Sequence, residues 1–235
     1  MKRRWVKVLV VVVVVLAGLS VAVDRIAVHY AEKEAVALAE ERYGYGAGST
    51  DGFTEVSIHG FPFLTQAADL SLGHVTLSAG NFSVNTTGNA QGDYLNVRKL
   101  ELELRGLAAS SLTGRSASAN LVTGRLIIGY EDLSGVVSRL LGEGGALTVA
   151  PATGSAGGSQ EAALRITGTW NGRPVDTVAS VAVAADEFEM RVPGFGSSRY
   201  TWRVPLPQDI NFTAARSTRG GLELEATGHQ VVLGR

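Results

Sequence analysis

Hydrophobic and polar positions divide the chain into three stretches of different period. From Val8 to Val23 the residues are uncharged and largely apolar, a run closed abruptly by Asp24 and Arg25. From Asp24 to Arg42 the spacing becomes helical and mixed: Ala31, Ala35, Leu38 and Ala39 recur near one face, with Glu32, Lys33, Glu34 and Glu40 between them. After Gly44, Gly46, Gly48 and Gly52 the period switches to two, and this predicts strands from Phe53 onward. Leu100, Leu102 and Leu104 alternate with Glu101, Glu103 and Arg105, and Leu164, Ile166, Gly168 and Trp170 alternate with Arg165, Thr167 and Thr169. Phe188, Met190 and Val192 oppose Glu187, Glu189 and Arg191, while Tyr200, Trp202, Val204 and Leu206 oppose Thr201 and Arg203.

Strands apolar on one face only fit antiparallel sheet, and the shortage of amphipathic helices between them argues against a doubly wound parallel fold. One internal helix is predicted from Asp132, a plausible N-cap, to Leu141, with Leu133, Val136, Val137, Leu140 and Leu141 spaced by three and four. Near the C-terminus Leu222, Leu224 and Ala226 share one parity and Val231 and Leu233 the other, so a bulge around Gly228 is needed to hold both sets on one face. Pro151 to Gln160, rich in Gly and Ser, reads as a flexible surface loop at 151–160.

The apolar run is preceded by Lys2, Arg3, Arg4 and Lys7, a bias that places the N-terminus on the cytoplasmic side and everything beyond Asp24 outside, with Trp5 at the interface. The run is slightly short of the ~20 residues that cross a bilayer, so a cleaved signal peptide, with Ser20-Val21-Ala22 as its site, competes with a retained anchor. Direct continuation into the second helical stretch favours retention. The expected organisation is an anchor or uncleaved signal over 1–25, a helix and Gly-rich turn over 26–52, and one extracytoplasmic β-rich domain over 53–235. Its location is then the cell membrane, single-pass.

Charge and composition narrow the chemistry. The 21 Lys plus Arg against 22 Asp plus Glu leave a net charge of -1, which recruits no polyanion, and nucleic acid is not an expected partner. Without cysteine there is no disulfide, thiolate nucleophile or acylated Cys. His29, His59, His74 and His229 are scattered without zinc-binding spacing, so no metal or cofactor is expected. No nucleophile elbow or phosphate loop occurs, and no catalytic residue is assigned.

The least generic segment is Val56-Ser57-Ile58-His59-Gly60-Phe61-Pro62-Phe63-Leu64, where a strand ends in a turn carrying large apolar area around a proline. It reads either as a plug closing one end of the core or as a rim that touches lipid. Here the chain resembles the LmeA family, actinobacterial envelope proteins also described as a domain of unknown function, in which a Val-x-Ile-x-Gly-Phe-Pro-Phe-Leu segment is the signature. The stretch GRLIIGYEDL from Gly124 and the C-terminal VPLPQDINFTAARSTRGGLELEATGHQVVL resemble further parts of it. The resemblance implies phospholipid binding, a role in maintaining the envelope or its lipoglycans, and a fold similar to the tubular lipid-binding proteins. In those, a long twisted, mostly antiparallel sheet wraps a helix in an α+β fold.

The residues support the same physics. One-sided apolar strands without covering helices must meet each other or acyl chains, and each buried methylene is worth about 0.8 kcal/mol. The expectation is a noncatalytic phospholipid-binding or transfer protein held in the cytoplasmic membrane by its N-terminal helix. Phe61, Pro62, Phe63, Leu64, Trp170 and Trp202 are its candidate lipid-contacting residues. The alternative is an extracytoplasmic assembly module with a solid interior that docks a protein partner, which the residues do not identify.

Overall fold

A computed structural model describes residues 2–45, 50–85, 94–111, 116–140, 145–152, 160–194 and 199–233. Gly46, Gly48, Leu141, the Thr153 to Ser159 part of the loop and the side chains of Trp5 and its basic neighbours lie outside the described residues. The fold is α+β, mostly antiparallel sheet, with a long apolar helix at the N-terminus.

The two helical stretches of the sequence form one element, α1, Lys2–Tyr43, whose 42 residues extend about 63 Å. By length and composition it can cross a membrane. Large apolar side chains from Val13 to Val23 are exposed. From Asp24 onward α1 is part of the folded unit: Asp24, Val28 and Ala39 are buried, and so is Tyr45 just beyond it.

β1 (Phe53–His59) leads through a short helix, α2 (Phe63–Ala68), to β2 (Ser71–Asn85), β3 (Tyr94–Ala109) and β4 (Ala117–Ile128). α3 (Tyr130–Leu140) then delivers the chain to β5 (Gly145–Pro151), β6 (Glu161–Trp170), β7 (Arg173–Ala184), β8 (Glu187–Arg191) and β9 (Arg199–Arg203). β10 (Ile210–Thr218) and β11 (Gly221–Leu233) return to the first sheet. In place of one long sheet there are two: six strands in the order β1-β2-β3-β4-β11-β10, and five in the order β5-β6-β7-β8-β9. All neighbouring pairs are antiparallel.

The alternation read in the sequence is realised across the first sheet. Leu100, Leu102 and Leu104 stand opposite Ala79, Leu77 and Val75 on one side and Leu126, Gly124 and Val122 on the other. Their face is buried, while the opposite face carries ion pairs such as Lys99 with Glu101 and Arg125 with Glu223. At Gly124 the sheet packs closely, and a Cβ there would stand 2.8 Å from a Leu102 methyl, which would have to shift.

The parity change expected near Gly228 occurs two residues later, at Gln230, whose φ is 52°. It is not confined to β11. The pairing skips one level on each strand, at Gly73, Gly106, Asn120 and Gln230, and resumes in the same register beyond it. Gly106, with φ 62°, is the left-handed residue of β3. Leu104 and Val122 point inward on one side of this line, Leu107, Ala119 and Val231 on the other, so four strands change face together. Gly228 instead admits the neighbouring strand: a Cβ there would lie 2.7 Å from the Asp209 carbonyl oxygen.

α3 begins at Tyr130, ahead of the expected Asp132, which places Asp132 and Glu131 in its first turn and Arg139 in its last, as the helix dipole favours. The Leu133 N–H already bonds the Gly129 carbonyl at 3.0 Å. Leu133, Val136 and Val137 are buried, and Ser134 and Ser138 accept the N–H groups of Val149 and Leu147 on the edge strand β5. The Tyr130 hydroxyl donates to the Thr218 carbonyl at 2.6 Å, joining the helix to the first sheet.

Candidate lipid-binding groove and the α2 turn

The covered face of the six-stranded sheet is not filled everywhere. Between the C-terminal half of α1 and β2, β3, β4 and β11 lies a groove of about 620 Å³. Such a volume falls in the ~300–1,000 Å³ range of small-molecule sites. Ala35, Leu38 and Ala39 of α1 form one wall, and Leu77, Leu102 and Leu104 form the floor. The helix covers the sheet with small side chains where a larger residue would have closed the gap. Leu107, Ala109, Ala117 and Leu233, beyond the line of parity change, carry the floor to the end of the sheet. At the other end Tyr43, Tyr45 and Pro207 close it.

That closed end is rigid. Tyr45 is 1% exposed, stacks on Tyr43 at 5.4 Å, meets Phe82 at 5.4 Å and donates its hydroxyl to the Pro205 carbonyl at 2.6 Å. Burial pushes the Tyr45 hydroxyl far above the ordinary tyrosine value, and neighbouring Tyr43 adds to the shift. Burial raises Tyr43 as well, partly offset by the adjoining Arg42 guanidinium.

The aliphatic end lies beside α2. The Ala109 N–H bonds the Leu70 carbonyl at 2.8 Å, and Leu72 pairs with Leu107. Here the Gly-Phe-Pro-Phe-Leu segment becomes a turn entering a helix. Gly60, with φ 106°, ends β1, and a Cβ there would meet the Gln66 amide nitrogen at 2.6 Å. Pro62 occupies the N-cap of α2. The plug and rim readings divide among the side chains: Phe63, 8% exposed, turns inward, while Phe61 at 60% and Leu64 at 43% face outward.

α1 fixes this turn through Asp24. Its carboxylate accepts the Leu64 N–H at 2.9 Å and pairs with Arg25 at 2.9 Å. The Arg25 guanidinium in turn lies 5.5 Å from the centre of the Phe61 ring. Two helical turns farther along α1, Glu32 accepts the Ile58 N–H at 2.9 Å, covering the exposed edge of β1. The outward apolar side chains of the turn therefore stand next to the last apolar residues of the exposed stretch of α1.

Trp170 and Trp202 lie elsewhere, on β6 and β9 of the second sheet. Trp202 is fully buried and stacks on Phe188 at 5.1 Å, which makes it a packing residue of that sheet, and neither tryptophan lines the groove. Among the described residues no group of three or more His, Cys, Asp or Glu is arranged to hold a metal. His59 and His74 stack at 4.5 Å on the strand pair β1–β2.

Reading the residues alone missed the groove's walls as a site. The small-residue face of α1 and the Leu100–Leu104 alternation were visible, but nothing local distinguished a lining leucine from a packed one. Asp24 was legible only as the end of the apolar run.

No curated protein and no solved structure gives a match to this chain. The LmeA-like phospholipid-binding family matches residues 22–227, which takes in the packed half of α1, the α2 turn, the second sheet, the first sheet up to Thr227 of β11, and the described groove lining apart from Leu233. The chain thus belongs to the LmeA-like phospholipid-binding family.

Proposed function

We propose that the protein binds phospholipid without catalysis, holding acyl chain in the groove between α1 and the six-stranded sheet, on the outer face of the cytoplasmic membrane. α1 remains attached and spans the bilayer up to Val23. The observation that carries this reading is the aliphatic groove of about 620 Å³ between α1 and the six-stranded sheet, with buried Tyr45 at the end far from the α2 turn. Methylene burial at about 0.8 kcal/mol per group supplies affinity without any reacting side chain. In this arrangement Phe61, Pro62, Phe63 and Leu64 are the membrane-facing rim, and the groove's mouth stands over the leaflet from which lipid enters. Such binding suits a protein that moves or shelters phospholipid in support of the envelope or its lipoglycans.

The part of α1 beyond Val23 is packed into the domain. Asp24, Val28 and Ala39 are buried in the domain, and Glu32 is bonded to β1, so the helix that leaves the bilayer is also the helix that covers the groove.

The test is extraction and mass spectrometry of the purified full chain. Phospholipid in near-equimolar amount, lost when the groove is filled by mutation, is expected. A lipid-free chain that takes up no phospholipid from vesicles overturns the reading.

A further inference from the structure

Charge in the groove's described lining is confined to one corner, while Ser116 adds an uncharged hydroxyl at the other end. Arg42 is the one cationic side chain among its described lining residues, exposed, in no ion pair with a described residue, and hydrogen-bonded through its guanidinium to the neighbouring Tyr43 hydroxyl. Glu41 shares the rim, but residues adjacent on a helix do not face each other. The corner thus has no net charge, and any recognition there rests on the guanidinium's own geometry. The guanidinium's remaining N–H donors, exposed beside the Tyr43 end of a hydrocarbon groove, can still give a phosphodiester two parallel bonds.

The corner's position gives the groove a polarity. Arg42 lies eighteen residues beyond Asp24 on one continuous helix, about 27 Å farther from the α2 turn. Leu107, Ala109, Ala117 and Leu233 line the opposite, α2-side end and carry no charge. A phospholipid standing in the outer leaflet has the same order: phosphate away from the bilayer centre, hydrocarbon toward it.

Resting on the phospholipid groove proposed above, we infer that the lipid is held with its phosphate at Arg42 and its acyl chains running toward Leu107, Ala117 and Leu233. Loading is then a lift out of the leaflet along α1, without inversion of the molecule. The ligand class is a phosphodiester lipid, and diacylglycerol with the same chains lacks the group that Arg42 recognises.

Crosslinking reads this directly. The full chain is reconstituted in phosphatidylcholine vesicles with a trace of phosphatidylglycerol carrying a photoreactive diazirine in the headgroup or at the acyl terminus. Headgroup adducts are expected on Leu38 to Tyr43 and acyl adducts on Leu107, Ala109, Ala117 or Leu233. Arg42→Gln lowers the headgroup adducts about tenfold and leaves the acyl adducts in place, and Arg42→Lys retains part of the headgroup signal. Photoreactive diacylglycerol labels the acyl positions equally in wild type and Arg42→Gln. Reversed adduct positions, or an Arg42→Gln variant that labels like wild type, overturns the head-distal assignment alone. Absence of groove adducts from every probe overturns the phospholipid reading itself.

Discussion

The carboxylate of Asp24, 2% exposed, accepts the backbone N–H of Leu64 at 2.9 Å and so locks the α2 turn to α1 where its exposed apolar stretch ends. The Leu64 N–H belongs to the first turn of a six-residue helix, which has no partner for it within α2. Asp24→Ala removes the acceptor and also unpairs Arg25 from its carboxylate. Faster amide exchange confined to residues 60–68 is the expected outcome, with the sheets retaining their protection. Asp24→Asn keeps an acceptor oxygen and gives a smaller effect. Hydrogen exchange followed by mass spectrometry checks both, and unchanged protection of the turn in Asp24→Ala would show that α1 does not hold it.

Phe61 and Leu64 face outward beside the end of the exposed apolar stretch, which places them in the interface of the bilayer in the proposed arrangement. The absence of cysteine makes this measurable, since a Leu64→Cys variant takes a single nitroxide label. In vesicles the label is expected to collide more with oxygen than with a water-soluble nickel complex, as lipid-contacting sites do. A label at Glu103, on the charged face of β3, should show the reverse. If both positions report water, the rim does not touch the membrane.

Much of the architecture was legible because antiparallel sheet writes its burial in alternate residues. Leu100, Leu102 and Leu104 could be assigned to one face from the sequence, and the structure buries all three. The concerted shift at Gly73, Gly106, Asn120 and Gln230 was visible only in part, as the parity conflict between Ala226 and Val231. Which residue absorbs such a conflict depends on the neighbouring strands, and sequence periodicity does not record pairing. The division into two sheets was hidden for the same reason. The site was less legible than the fold: a leucine lining a groove and a leucine filling a core have the same pattern, and the distinction arises only from how α1 lies across the sheet. Trp202 shows the converse, a large aromatic whose size invites a functional role and whose full burial against Phe188 gives it a packing one.

Ala35 is the place to separate those roles. It lines the groove from α1, so Ala35→Trp fills space with hydrocarbon and leaves the sheet untouched. Displacing about four methylenes of bound lipid forfeits ~3 kcal/mol, on the order of a hundredfold in retention. The expected outcome is a chain with unchanged melting that purifies nearly free of phospholipid. Trp202→Ala should do the opposite. It removes a buried indole at a cost of about 3–5 kcal/mol and leaves lipid bound per folded molecule unaltered. Lipid phosphorus per mole of protein, measured beside thermal melting, distinguishes the two, and equal lipid loss in both variants would mean that the groove is not the site.

The closed end of the groove carries its own pH dependence. Burial holds the Tyr45 hydroxyl protonated in the fold well above the ordinary value near 10, whereas in the unfolded chain it ionises there. The raised folded value means that Tyr45's contribution is fully present below about pH 10 and is lost as pH rises beyond it, by up to about 1.4 kcal/mol per pH unit. Tyr45→Phe cannot ionise but gives up the hydrogen bond to Pro205. At neutral pH the variant should therefore be less stable by about 1 kcal/mol. Above pH 10 its stability should fall less steeply than that of wild type, so the two denaturation midpoints converge. Urea unfolding from pH 7 to 11 reads this, and parallel curves would show that Tyr45 does not govern alkaline unfolding.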